Sequence, residues 1–277
     1  MLLSVIVQYF NMSSNIRILA RWKQCDGVEL LVNVDSRNGA DLEWLNTTAD
    51  TILFSRNIHE IRAYNKLARV ASGDVLAFVQ DDAAPPVGCA YLDTVARLYA
   101  RDPRLSIIGM NVGTTTPWNH GKHERLRSPR LYTGDDFPRV ERVQYVACVD
   151  IGPLLIQKKD FFSLGEFDAN FSAAGQGGIG LDFDLSTRAW LNNRTVLFYT
   201  PARLPGVRYP DGVHGRKKAS YYDKSNEIRA YVSRKFRTFE PYYDHISKEV
   251  LKMNRAWLSR GIDNARPSIR NRHRSGS

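Results

Sequence analysis

Two groups of carboxylates carry the chemistry open to this chain. Asp81 and Asp82 close the apolar run Val75-Leu76-Ala77-Phe78-Val79, which is bounded by Ser72-Gly73 before and Pro85-Pro86 after. A short apolar run between turn signals reads as a buried strand, and strands buried on both faces belong to parallel α/β sheets. Ligands of such sheets bind at the carboxyl ends of the strands. Two acids at that end suit a hard divalent cation and, through it, a phosphorylated substrate. Solvated acids capping the next turn would leave the same pattern.

The second group is Asp182 and Asp184, in Gly180-Leu181-Asp182-Phe183-Asp184-Leu185. Leu181, Leu185 and Ala189 fit one helix, with both acids in its first turn, where the helix dipole alone favours negative charge. The glycine-rich stretch at 173–180 could deliver Asp182 into a cleft. A carboxylate there can take a proton from an attacking hydroxyl. A third element is His214, in Asp211-Gly212-Val213-His214-Gly215-Arg216-Lys217-Lys218. Neutral imidazole accepts manganese more readily than magnesium. Arg216, Lys217 and Lys218 could neutralise a diphosphate, or form a solvated basic surface.

The elements that must position these groups alternate. Strands are expected at 4–10, 28–34, 51–54, 74–80 and 105–110, and helices at 13–24, 59–71 and 89–100. Such alternation implies crossover connections and a mostly parallel sheet flanked by helices. Residues 113–139 read as a long loop, a common seat of specificity. Strand signals return at 143–149, 154–157 and 196–199, with a helix from 182 to 191. From about 201 to 261 the pattern suits a loop plus helices packed on the core.

The chain has 277 residues, 43% hydrophobic and 25% charged, which is ordinary globular composition. Cys25, Cys89 and Cys148 are scattered, with no CxxC or Cys/His cluster, so free thiols in a reducing compartment are expected. The start lacks a basic leader, and no apolar stretch approaches the ~20 residues of a spanning helix. The expectation is a cytoplasmic protein, soluble or peripherally membrane-associated. A net charge of +10 and a pI near 9.6 fit a nucleic acid, an anionic small substrate, an anionic membrane surface or simply a basic tail. The tail carries Arg266, Arg270, Arg272 and Arg274 and lacks a core-forming pattern.

Together these segments resemble the GT-A glycosyltransferases of the family 2 type. The resemblance rests on Ser4-Val5-Ile6-Val7, Leu31-Val32-Asn33-Val34-Asp35-Ser36, Arg62-Ala63-Tyr64-Asn65 and the run from Ala71 to Asp82 for the nucleotide-sugar half. Leu164-Gly165-Glu166-Phe167-Asp168 and the run from Asp182 to Arg188 resemble the acceptor half. It implies one GT-A domain over 1–250, with the nucleotide-sugar half at 1–112, the acceptor half at 140–250, and a basic tail at 251–277.

The same resemblance implies site roles. Gln8 and Tyr9 would hold the nucleobase, and Asp35 the base or ribose. Arg62 and Asn65 would face the nucleotide. Gln80-Asp81-Asp82 matches the Asp-any-Asp motif, Gln80 and Asp81 serving the donor and Asp82 the metal. His214 would be a further metal ligand, and Asp182 the general base. Gln80 departs from that motif's first acid, and Leu181 from the Glu that normally precedes the base. The implied activity is inverting transfer of a sugar from a nucleoside diphosphate to a hydroxyl of a glycan, glycoconjugate or other acceptor, with Mn2+ or Mg2+. No nucleic-acid partner is expected, and the basic tail offers a peripheral membrane contact.

Two rivals remain. A sugar-phosphate nucleotidyltransferase usually has a glycine-rich loop after the first strand, and Gln8-Tyr9-Phe10-Asn11-Met12-Ser13 has no glycine. A basic RNA- or membrane-surface-binding protein on a degenerate transferase fold would explain the tail and the altered acids.

Overall fold

The computed structural model describes residues 1–9, 19–35, 42–81, 83, 85–86, 88–110, 112–117, 125–127, 141–173, 175–201 and 225–259, those at 125–127 and 258–259 by backbone only. Among them the central sheet has eight strands in the order β3-β2-β1-β4-β10-β5-β11-β8. These are β1 (Leu3–Tyr9), β2 (Val28–Val34), β3 (Thr51–Phe54), β4 (Val75–Gln80), β5 (Leu105–Gly109), β8 (Arg142–Tyr145), β10 (Leu154–Gln157) and β11 (Thr195–Thr200). β10 runs antiparallel to β4 and β5, and β8 antiparallel to β11; the remaining pairs are parallel. The expected mixed α/β architecture with a mostly parallel sheet is therefore present.

Mostly apolar strands such as β1, buried along its whole length, divide the interior into two cores, one on each face. Ile6, Leu31 and Phe78 point to a core built with α2 (His59–Val70), α4 (Lys158–Ser163) and α5 (Leu181–Leu191). Val5, Val32 and Val79 point to the other, built with α1 (Leu42–Thr48) and α3 (Ala90–Arg101).

Among the described residues of the C-terminal segment there is one helix, α6 (Asn226–Ser259), rather than several. Phe236, Phe239, Tyr243, Ile246 and Val250 recur every three or four residues and bury in the first core. Met253 and Trp257 then pack on the second, and Asn254 hydrogen-bonds both backbone groups of Tyr145 at the sheet edge. The helix thus runs through residue 250, where the tail was expected to begin.

Three other expectations are corrected. Residues 113–139 are not simply a loop: β6 (Val112–Thr114) pairs antiparallel with β7 (Arg125–Arg127) and with β9 (Cys148–Val149) in a second, small sheet. The strand expected at 143–149 is consequently split between two sheets. Cys25 and Cys89 are not free thiols but form a disulfide across a sequence separation of 64; Cys148 is outside that disulfide, and buried. The ground for a reducing compartment goes with them. The helix expected at 13–24 lies largely outside the described residues, its end being a 3-10 turn at Arg21–Gln24. No helix among the described residues is long and apolar enough to cross a membrane.

Candidate functional site

Three carboxamides form a row across the carboxyl ends of β2, β1 and β4. Gln8 is the register partner of both Asn33 and Gln80, and alternation places all three on the α2 face. Asn33 Nδ2 donates to Gln8 Oε1 at 2.7 Å and to Ser55 Oγ at 2.8 Å. Gln8 Nε2 and Asn33 Oδ1 are buried with no hydrogen-bond partner among the described residues. Asp35 continues this end of β2. It accepts from Ser55 Oγ at 2.7 Å and from the backbone N–H groups of Ile58 and His59 at 3.0 and 2.8 Å. It therefore caps the start of α2, where Asn57 and His59 take positive φ values of 52° and 61°.

Asp182 enters from the other half of the chain. Gly180, at φ +83°, turns into α5, and a Cβ there would come within 3.1 Å of the Phe236 ring. Asp182 follows in the first turn, half-buried, accepting from the Ile151 N–H at 3.1 Å and the Phe183 N–H at 2.9 Å. Desolvation pushes its carboxyl up to about 6; the two N–H bonds oppose that rise, and the negative charge of Glu60 adds to it. A carboxylate held near 6 is suited to accept a proton at neutral pH.

Glu60 was missed in the sequence. It lies in the first turn of α2, 7% exposed, and accepts from Gln80 Nε2 at 3.5 Å. Its position was legible in principle, because Glu60 stands one turn before Tyr64 on the helix's apolar stripe, an unusual place for a charge. The glycine-rich stretch closes on this turn: a Cβ at Gly178 would lie 2.5 Å from Ile61 Cδ1, and one at Gly175 2.2 Å from Asn57 Nδ2. Glycine there lets the chain before Asp182 approach the start of α2. Gln80, Glu60 and Asp182 are thereby brought to one end of the sheet.

The remaining candidates are placed differently. Arg62 donates to the carbonyls of Ala169 and Ser172 at 3.0–3.1 Å. Asn65 exchanges two hydrogen bonds with the Phe167 backbone, at 2.8 and 3.1 Å. Both tie α2 to the segment leading to Asp182. Tyr9 is 1% exposed and belongs to the core on the opposite face from Gln8. Asp81 is partly exposed in the turn after β4. Asp82 and His214 lie outside the described residues. Beneath α5, Asp184 is fully buried and paired with Arg188 at 2.7 Å, and Arg188 also donates to the carbonyls of Leu164 and Glu166.

Among the described residues, no three His, Cys, Asp or Glu side chains converge as a metal site.

No family model matches the chain, and no curated protein matches it. Solved structures do. S. aureus TarS 1-349 in complex with UDP is 16% identical at a TM-score of 0.56, over 91% of this chain and 71% of that one. The mannosyltransferase PcManGT from Pyrobaculum calidifontis, in complex with GDP-Man and Mn2+, is 18% identical at 0.51, over 74% of this chain and 57% of that one. GalNAc-T7 with UDP, GalNAc and Mn2+ is 17% identical at 0.50, over 75% of this chain and 45% of that one. The chain thus spans about half the length of the last two. The likeness to the first covers nearly all of this chain, and the chain has the GT-A fold of glycosyltransferases.

Proposed function

We propose that this protein transfers a sugar from a nucleoside diphosphate to an acceptor hydroxyl on a glycan, glycoconjugate or similar molecule, with inversion at the anomeric carbon. The observation that carries the proposal is the meeting of Asp182, with its carboxyl pushed up to about 6, and the Gln80–Glu60 pair at the carboxyl end of β4. A donor diphosphate beside Asp81 would place the sugar between that strand end and Asp182. The solved neighbours that hold UDP or GDP-Man support this donor class.

The chemistry then follows from charge. Asp182 takes the proton of the acceptor hydroxyl as its oxygen attacks the anomeric carbon. The bond from that carbon to the β-phosphate oxygen breaks, and the nucleoside diphosphate leaves with the electron pair. Attack opposite the leaving group inverts the centre. The free Gln8 Nε2 donor and Asn33 Oδ1 acceptor lie at the end of the sheet assigned to the nucleobase. Mn2+ or Mg2+ is proposed at Asp82, with Asp81 and His214, where it would neutralise the diphosphate.

The test is a thermal-shift panel of UDP-, GDP- and dTDP-sugars with and without Mn2+. A ligand bound only by the native state raises the melting temperature. A metal-dependent rise with one donor class supports the reading, and no rise with any donor contradicts it.

A further inference from the structure

Cys25 and Cys89 stand on two segments that meet beside the acidic loop. Cys25 follows the 3-10 turn Arg21–Gln24, and Cys89 immediately precedes α3. Their Cα atoms are 5.6 Å apart. Between β4 and Cys89 runs the loop that begins with Asp81. Its described residues are held from both sides. The Ala83 N–H donates to the Gln80 carbonyl at 2.9 Å, forming the turn at its start. The indole N–H of Trp22, a fully buried residue, donates to the Ala83 carbonyl at 2.9 Å. The disulfide holds its far end. Trp22 also meets Tyr91, in the first turn of α3, edge-on at 6.4 Å.

We propose that the Cys25–Cys89 disulfide and Trp22 act together as a positioning clamp for the turn at Ala83 after β4, making its arrangement, and with it donor binding, sensitive to reduction. The inference about donor binding rests on the proposed function; the clamp itself does not. The disulfide is a covalent attachment, and it anchors the segment that carries Trp22. Cys89 is exposed, so a soluble thiol can reach it. The first thiolate of a dithiol attacks one sulfur of the bond, and its second thiol releases the mixed disulfide. The reagent leaves as a cyclic disulfide and the protein gains two thiols. Cys148 is buried in the core on the other face of the sheet, so the released thiols have only each other to rejoin. Freed at Cys89, the loop loses the restraint that holds its far end against the Trp22 segment. A loop that samples its binding arrangement one-tenth of the time weakens ligand affinity by about tenfold.

The experiment compares the untreated chain, the chain treated with dithiothreitol, and the double variant Cys25→Ser/Cys89→Ser. Three readouts are taken: thiol alkylation after denaturation, amide hydrogen exchange, and affinity for UDP and GDP with Mn2+. The untreated protein should show one alkylated cysteine and the reduced protein three. Exchange at Ala83 should rise by about tenfold or more in the reduced and variant proteins, with β1 and β4 unchanged. Nucleotide affinity should fall by about tenfold in both. Three alkylated cysteines without reductant, unchanged exchange at Ala83, or increased exchange with unchanged affinity would each overturn the clamp. If neither nucleotide binds any form, the donor reading fails, while alkylation and exchange still decide whether the loop is clamped.

Discussion

Gln80, the last residue of β4, donates its side-chain amide to Glu60 in the first turn of α2. Burial raises the carboxyl of Asp182, and the charge of Glu60 adds to that rise across the gap between the two halves of the chain. A pH profile follows. Transfer should fall as pH drops through about 6, the region in which Asp182 takes up its proton. Glu60→Gln removes one of the charges holding that value up, so the midpoint of the acid limb should move to lower pH. The measurement is turnover against pH for both proteins; an unmoved midpoint would separate Glu60 from the base.

The same shift has a consequence for stability. The Asp182 carboxyl binds its proton more tightly in the folded chain, at about 6, than the ordinary 3.8 of an unfolded chain. Its contribution to folding is therefore fully present below the lower value and is lost as pH rises through the higher one. Asp182→Asn removes a buried charge and should raise the melting temperature at about pH 8, with a smaller gain at about pH 4. Equal gains at both pH values would contradict the assignment.

Arg188 is the stabilising counterpart. Its guanidinium neutralises the fully buried Asp184 and also donates to the carbonyls of Leu164 and Glu166. Removing Arg188 leaves the buried Asp184 only the more distant Lys235, at 3.8 Å, so Arg188→Leu should cost roughly 3–5 kcal/mol in urea unfolding. A loss near that of an exposed pair, below about 1 kcal/mol, would contradict this account.

Much of the architecture is legible in the sequence, for a physical reason. Residues 28–34, 51–54 and 154–157 are short apolar runs between turn signals, and burial imposes that pattern whatever the neighbours. The reversed direction of β10 is not legible, because an apolar run buried between two strands looks the same in either orientation. Cys25 and Cys89 are far apart in sequence, and nothing local shows that two crossovers bring them together. Of the candidate site, the glycine-rich stretch at 173–180 marks Asp182 in the sequence. Glu60 carries no such mark, because an acid in a first turn is also what the helix dipole favours.

Arg62 separates two roles. The sequence resemblance points it at the nucleotide, whereas the structure engages it with the carbonyls of Ala169 and Ser172. Arg62→Lys keeps the charge but loses the planar fork. It should lower the melting temperature and turnover while leaving nucleotide affinity within about twofold, an affinity factor worth under ~0.5 kcal/mol. A tenfold loss of affinity would return Arg62 to the nucleotide.

The central claim is that Asp182 removes the acceptor proton. It is tested most directly by comparing Asp182→Asn with the parent chain, using the donor identified by thermal shift and following nucleoside diphosphate release. The account predicts donor affinity near that of the parent and turnover lower by roughly two to four powers of ten. Turnover at the parental rate would contradict it.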